Sequence, residues 1–229
     1  MGYSTFLIDL DHTLFDSDTS ESLAFRRAFD AAGIKDAERC LAAFRRINLE
    51  LWTTVERGEA TPDFVRNRRF ERLADECGLD ADPLVMSDAY VEGLGAFGEL
   101  YDNALVVLDE LARHASLGLV TNGLGEVQRM RIDRTGIAAH FDAIVISAEV
   151  GVSKPHGGIF DIAFRALGWP DKAAAVMVGD NLVSDIRGGA DYGIATCWYN
   201  PGRRAVADGT RFDHEITALA GLLDHLERG

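Results

Sequence analysis

Hydrophobic and polar positions along the chain divide it into a short apolar run, a long helical stretch and an alternating remainder. Phe6, Leu7 and Ile8 form an apolar, β-prone run closed by polar residues, the pattern of a short strand buried on both faces. From about Asp16 to Leu100 apolar residues recur at three- and four-residue spacing. Leu23 and Phe29 mark one helix, and Leu41, Phe44, Ile47 and Leu51 a second. Phe64, Phe70 and Leu73 mark a third, which Pro62 opens at a first-turn position. Leu84, Tyr90, Val91 and Leu94 mark a fourth, and Gly33, Gly58 and Gly78 stand where helices would end. No strand-like run interrupts this stretch, so it reads as a helical insertion following the first strand.

From Tyr101 onward strand and helix alternate. The pattern predicts helices at 104–113, 125–135, 159–167, 184–192 and 218–226, and strands at 117–121, 143–146, 174–178, 194–198 and 212–216. Residues 200–209 read as a loop. Repeated strand and helix with short connections implies right-handed crossovers and a mostly parallel sheet. The expectation is an α/β fold: a core built from residues 1–15 and 101–229, with an inserted helical domain at 16–100.

At 229 residues the chain is long enough for one such core and a smaller insertion. The formal net charge of −14 argues against binding a nucleic-acid polymer, which needs clustered excess Lys and Arg. Cys40, Cys77 and Cys197 are odd in number and far apart in sequence, as expected of reduced thiols. The first strand begins within a few residues of Met1, which leaves no room for a signal peptide, and no apolar run is long enough to span a bilayer. The expected setting is the cytoplasm, with no membrane partner, as a monomer or homodimer.

The candidate chemistry begins at the end of the first strand, where Asp9 and Asp11 are separated by one residue. If strand geometry continues through them, both side chains point the same way. Two like charges held that close repel, and a divalent cation between them removes the repulsion. Oxygen-only ligands favour Mg²⁺ over zinc. Either Asp could instead cap a following helix.

In an open parallel sheet, ligands bind at the carboxyl ends of the strands. Thr121 and Asn122 close the next predicted strand, Asp180 closes another, and Lys154 follows a third in the loop from Glu149 to Pro155. Each has a plainer explanation as turn, surface or cap residue. Together they collect carboxylates, a hydroxyl, an amide and an ammonium at one rim, as a metal-assisted phosphate site requires. No dinucleotide fingerprint or P-loop pattern occurs. Trp52, Phe64, Phe70 and Phe97 are available to stack on a base, although helical spacing suits core packing as well. Arg66, Arg68, Arg69 and Arg72 read as a solvated helix face balanced by Glu71 and Asp75.

The segments Asp9-Leu10-Asp11-His12-Thr13, Thr121-Asn122-Gly123, Lys154-Pro155 and Gly179-Asp180-Asn181-Leu182-Val183-Ser184-Asp185 resemble, in order and spacing, the four motifs of the haloacid dehalogenase superfamily. The resemblance covers essentially the whole chain and is to phosphatases with a helical cap inserted after the first strand. Arg57-Gly58-Glu59, Arg68-Arg69-Phe70-Glu71-Arg72, the run Glu149–Pro155 and Ala195-Thr196-Cys197-Trp198 are further similar to its pyrimidine 5′-nucleotidase subgroup. Many members carry Gly where His12 stands; a helix-start role is expected for this His.

The resemblance implies a Rossmann-like core and a Mg²⁺-dependent phosphomonoesterase. Asp9 would be the nucleophile, forming an aspartyl-phosphate. Asp11 would be the general acid and then the base, with its backbone carbonyl on the metal. Mg²⁺ would be held by Asp9, Asp11 and Asp180. Thr121, Asn122 and Lys154 would bind the phosphoryl oxygens. Asp185 would orient a metal water or Lys154. The second Asp favours a phosphatase over a dehalogenase, which has no alkoxide to protonate. The expected substrate is a small phosphate monoester, a pyrimidine nucleoside 5′-monophosphate in the first instance and a sugar phosphate or phosphoglycolate as the alternative. A receiver-like module and a catalytically dead scaffold fit the motif set less well.

Overall fold

A computed structural model describes residues 2–206 and 211–226 of the chain. Six parallel strands, β1 (Thr5–Ile8), β2 (Ser116–Thr121), β3 (Ala143–Ile146), β4 (Ala175–Gly179), β5 (Ala195–Tyr199) and β6 (His214–Ile216), form one sheet in the order β3-β2-β1-β4-β5-β6. This is a Rossmann-like α/β order, and it reverses direction between β1 and β4, where a crevice opens at the strand ends. The period-two alternation of the strands feeds two cores. Phe6 and Ile8 of β1 join Leu117, Leu119, Val176 and Val178 on one face. Leu7 joins Val120, Met177 and Phe160 on the other.

Between β1 and β2 the chain forms four long helices: α1 (Ser17–Ala31), α2 (Glu38–Glu56), α3 (Pro62–Cys77) and α4 (Pro83–Ala96). Local chemistry sets their starts. Asp16 accepts from Thr19 N at α1, Thr61 caps α3 ahead of Pro62, and Asp82 caps α4 ahead of Pro83. The three glycines expected at helix ends lie just past α1, α2 and α3 with positive φ. These helices share a buried cluster that includes Phe25, Phe29, Phe44, Phe70 and Tyr90, and Leu124 and Val127 join it from the sheet side. No helix among the described residues is long and apolar enough to cross a membrane.

The remaining helices are α5 (Ala104–Ala112), α6 (Gly125–Thr135), α7 (Ser147–Val150), α8 (Gly157–Ala166) and α9 (Gly188–Tyr192). Three details differ from the sequence pattern. The helix expected at 184–192 starts earlier, as a π-helical turn over Leu182–Arg187 that hands over to α9. Asn181 starts it by accepting from both Val183 N and Ser184 N. The helix expected at 218–226 is a 3₁₀ segment over Leu219–His225. Leu219 and Leu222 are its buried residues, and three-residue winding is what brings them to one side. Strand β6 is shorter than 212–216, and of the expected loop 200–209, residues 207–209 lie outside those described.

Candidate active site

Asp9 and Asp180 follow β1 and β4 directly, so the reversal of strand order places them side by side. Asp9 N donates to Val178 O at 2.9 Å, which extends the ladder one step and fixes the Asp9 backbone. Lys154 reaches in from the loop after α7 and is buried. Its Nζ lies 2.6 Å from Asp9 Oδ1, 2.7 Å from Asp185 Oδ1 and 2.6 Å from Val120 O. Asp185 comes from the π-helical turn, and its Oδ2 accepts from Asn181 N at 3.0 Å. That position exists because residue 179 is glycine. A Cβ there would stand 2.2 Å from Asp185 Oδ2.

The electrostatics are those of a site with more negative than positive charge. Burial pushes the Asp9 carboxyl well above its usual range; Lys154 opposes this, while Asp185 and Asp11 add to it. Burial followed by Asp185 raises Asp180 to about 6. Burial works against the Lys154 charge, yet Asp185 and Asp9 overcome it and raise its pKa. One oxygen each from Asp9, Asp180 and Asp185 lies within 4.8 Å of the other two. An all-oxygen donor set around a charge deficit fits Mg²⁺. Hydrogen bonds separate the three carboxylates. Both oxygens of Asp185 are engaged by Lys154 and Asn181, whereas among the described residues the Asp180 carboxylate has only an Arg204 contact at 3.4 Å.

Asp11 lines the same cavity but faces different partners. Strand β1 ends at Ile8, and residues 11–15 make a tight turn closed by a bridge between Asp11 and Phe15. Asp11 and Asp9 therefore do not continue a strand. Asp11 Oδ1 accepts from Ser17 Oγ at 2.5 Å and from Arg131 Nη1 at 2.5 Å, and its Oδ2 from Gln128 Nε2 at 2.6 Å. Burial would raise its pKa, but Arg131 and Ser17 outweigh burial and lower it. His12 stands in the turn with φ 59 rather than at a helix start. Left-handed backbone at this position accounts for a preference for Gly.

Asn122 lines this cavity, whereas Thr121 is fully buried and is not among its lining residues. Thr121 Oγ1 accepts from Gln128 Nε2 at 2.7 Å. The Asn122 amide is committed to the Lys154 backbone, with Nδ2 donating to Lys154 O and Oδ1 accepting from Lys154 N, each at 2.9 Å. Sequence reasoning did not single out Gln128 and Arg131. Their three-residue spacing on α6, directly after Thr121-Asn122-Gly123, was the available signal. Nor did it find the link from the helical layer, in which Asn181 Nδ2 donates to Glu56 Oε1 at 2.9 Å.

The cavity, about 300 Å³ in volume, runs from this floor to the helical layer, where Trp52, Tyr90 and Arg69 line it. Of the aromatics considered for stacking, only Trp52 lines it: Phe70 is core and Phe64 is exposed. Arg69, expected on a solvated face, is 3% exposed. The reason is tertiary: the other three arginines pair with carboxylates, while Arg69 packs over the Tyr90 ring with 4.7 Å to its centroid.

Comparison with known proteins gives a concordant result. The family model for haloacid dehalogenase-like hydrolases matches residues 3–193. The pyrimidine 5′-nucleotidase YjjG of Escherichia coli is 33% identical over 219 residues, 96% of each chain. The pyrimidine 5′-nucleotidase PynA of Streptococcus pneumoniae is 29% identical over 229 residues, covering 100% of this chain and 97% of its own. Among solved structures, the magnesium-bound HAD-hydrolase YfnB of Bacillus subtilis, for which interdomain movement is described, superposes with a TM-score of 0.90 at 31% identity over the whole of both chains.

Proposed function

This chain belongs to the haloacid dehalogenase-like hydrolases, and we propose that it is a Mg²⁺-dependent phosphomonoesterase acting on pyrimidine nucleoside 5′-monophosphates. The observation that carries the phosphatase reading is the pairing of a carboxylate fixed to a buried lysine, Asp9, with a second carboxylate in the same cavity, Asp11. The nucleotide reading draws on the similarity to YjjG and PynA over nearly full length.

Asp9 attacks phosphorus, and the bond from phosphorus to the leaving oxygen breaks, leaving an aspartyl-phosphate. Lys154 holds Oδ1, so Oδ2, with only a 3.3 Å bond from Thr13, is the freer oxygen for attack. Asp11 gives its proton to the leaving oxygen and then, as carboxylate, takes one from the water that releases phosphate. Arg131 and Ser17, both bonded to Asp11 Oδ1, favour its carboxylate form, the one needed for the second step. Lys154 and Thr121, with the backbone N–H of Asn122, supply phosphoryl-binding donors, and the Asn122 side chain positions Lys154. Asp9 and Asp180, with the Asp11 carbonyl, would hold Mg²⁺, while Asp185 keeps Lys154 in place. Bound there, Mg²⁺ neutralises charge between an anionic nucleophile and an anionic phosphate. The helices between residues 16 and 100 act as a cap that closes over the leaving group and excludes water.

The test is phosphate release from a panel of monophosphates with Mg²⁺ and with chelator. Uridine and thymidine monophosphates are expected to exceed purine monophosphates, glucose phosphates and phosphoglycolate in kcat/KM. A sugar phosphate or phosphoglycolate ahead by about tenfold, roughly 1.4 kcal/mol of transition-state discrimination, would remove the nucleotide reading and leave the phosphatase one.

A further inference from the structure

The donors and acceptors around Asp11 form a closed network. Its carboxylate takes bonds from Ser17, Arg131 and Gln128, while Arg131 also donates to Ser20 Oγ and Leu94 O, and Gln128 to Thr121 Oγ1. Glu21 of α1 stands beside this network without a place in it. It lines the same cavity, half-buried, and makes no hydrogen bond or ion pair among the described residues. Its oxygens are not sealed into the protein and open into the cavity. Burial raises the Glu21 pKa; His12, Arg69 and Arg131 oppose this, and Asp11 adds to it. Neither arginine pairs with it: Arg69 packs over the Tyr90 ring, and Arg131 is committed to Asp11.

Position on α1 decides what this carboxylate meets. Ser17 and Glu21 are four residues apart, so their side chains share a helix face, one turn from each other. Ser17 holds Asp11, the group placed to protonate the leaving oxygen. The helix then runs into the buried cluster of the helical layer, to which Phe25 and Phe29 belong. Glu21 is therefore one turn, about 5 Å, farther from the sheet than the Asp11 contact. Its charge reaches Asp11 on one side and Arg69 and Tyr90 of the helical layer on the other. That is where the atoms next to the ester oxygen of a leaving group lie. In a nucleoside 5′-monophosphate those atoms are the ribose, with two adjacent hydroxyls. A carboxylate with both oxygens free is an acceptor matched by two such donors. Left without a donor in a half-buried place, it costs free energy that a bound hydroxyl recovers.

We propose that Glu21 binds the sugar of the substrate, its carboxylate accepting from the ribose 2′- and 3′-hydroxyls while Asp11, one helical turn nearer the sheet, serves the ester oxygen. This rests on the nucleotide reading above and assigns the sugar contact to one side chain. Glu21 touches the leaving group and not the bond that breaks, so it determines specificity. A purely structural Glu21 would instead be a counter-charge for the buried Arg69, and such a role does not discriminate between substrates.

The experiment compares kcat/KM for uridine 5′-monophosphate, its 2′,3′-dideoxy and N3-methyl analogues and glucose 6-phosphate in the wild type, Glu21→Gln and Glu21→Leu. In the wild type, deleting the two hydroxyls is expected to lower kcat/KM by about 10- to 100-fold, because a charged acceptor is left unpaired. In Glu21→Leu that penalty should shrink to about twofold, since the acceptor is gone, while any penalty for N3-methylation stays at its wild-type value. Glu21→Gln keeps the shape and a neutral acceptor oxygen, so its penalty should fall to about three- to tenfold; this variant decides the matter if the leucine protein does not fold. A wild type that prefers uridine monophosphate to glucose 6-phosphate but is indifferent to loss of the hydroxyls overturns the assignment and leaves the nucleotide reading intact. So does a folded Glu21→Gln protein with the full wild-type penalty. Equal loss of activity on uridine monophosphate and its dideoxy analogue in Glu21→Leu would make Glu21 a counter-charge only, and loss of the N3-methyl penalty instead would make it a base contact; either overturns the sugar assignment. A wild type that prefers glucose 6-phosphate by about tenfold overturns the nucleotide reading itself and this assignment with it.

Discussion

Arg131 Nη1 lies 2.5 Å from Asp11 Oδ1, joining a residue of α6 to the turn after β1 across 120 positions of sequence. The same guanidinium donates to Leu94 O at 2.9 Å and Ser20 Oγ at 3.0 Å, so one buried side chain ties α4, α1 and the Asp11 turn together. The candidate acid–base group is thus anchored by a residue that also holds the helical layer to the sheet.

Arg131→Gln should therefore lower both stability and turnover. Removing one partner of a fully buried pair costs about 3–5 kcal/mol. Asp11 retains 26% side-chain exposure, so a loss on the order of 2 kcal/mol is expected. Denaturant unfolding reads the first effect. The second should fall mainly on kcat, since Asp11 loses its orientation while the phosphate-binding residues keep theirs; a change confined to KM would contradict this.

Asp9→Asn should abolish phosphate release with the fold retained. The amide is a poor nucleophile and a poorer metal ligand, but Lys154 keeps Asp185 and Val120 O as partners. Phosphate assays alongside a thermal melt separate the two consequences. Release at the wild-type rate from a folded Asp9→Asn protein would take Asp9 out of the nucleophile's role.

Activity should require Mg²⁺ and be inhibited by excess Ca²⁺. Ca²⁺ takes more ligands at longer distances and would engage both oxygens of Asp9, removing the one needed for attack. Phosphate release is measured after chelation and dialysis, then with each ion added back. Undiminished turnover in chelator would contradict the metal assignment.

The strands and the rim of the site were legible because both depend on short-range pattern. Apolar runs such as Phe6–Ile8 are buried on both faces, and the polar residues that end them fall at the crevice by topology. Contacts across long separations were not legible. Gln128 and Arg131 meet Asp11 over 117 and 120 residues, and their spacing on α6 after Thr121-Asn122-Gly123 marks a shared helix face without naming the partner it meets. Arg69 looked solvated because an arginine on an amphipathic helix usually is, and the ring that covers it belongs to another helix. His12 took left-handed backbone in a turn whose shape comes from the bridge between Asp11 and Phe15.

Gly179→Ala tests whether the site depends on close packing as well as on charge. The added Cβ would stand 2.2 Å from Asp185 Oδ2, so Asp185 must withdraw. Withdrawal breaks its bond from Asn181 N and its pairing with Lys154, which then relies on Asp9 for its charge partner. Overpacking at such a position costs about 1–3 kcal/mol, readable in denaturant. The effect on turnover should be larger than that loss alone would suggest. Lys154 would be drawn toward Asp9, and a nucleophile more tightly paired with an ammonium is less able to attack. Asp185→Asn provides the comparison, because it removes the charge while keeping the side chain's volume. If loss of the Lys154–Asp185 pair is the cause, both variants should lower kcat. A Gly179→Ala protein that is destabilised but turns over at the wild-type rate would show that Asp185 can move without disturbing Lys154.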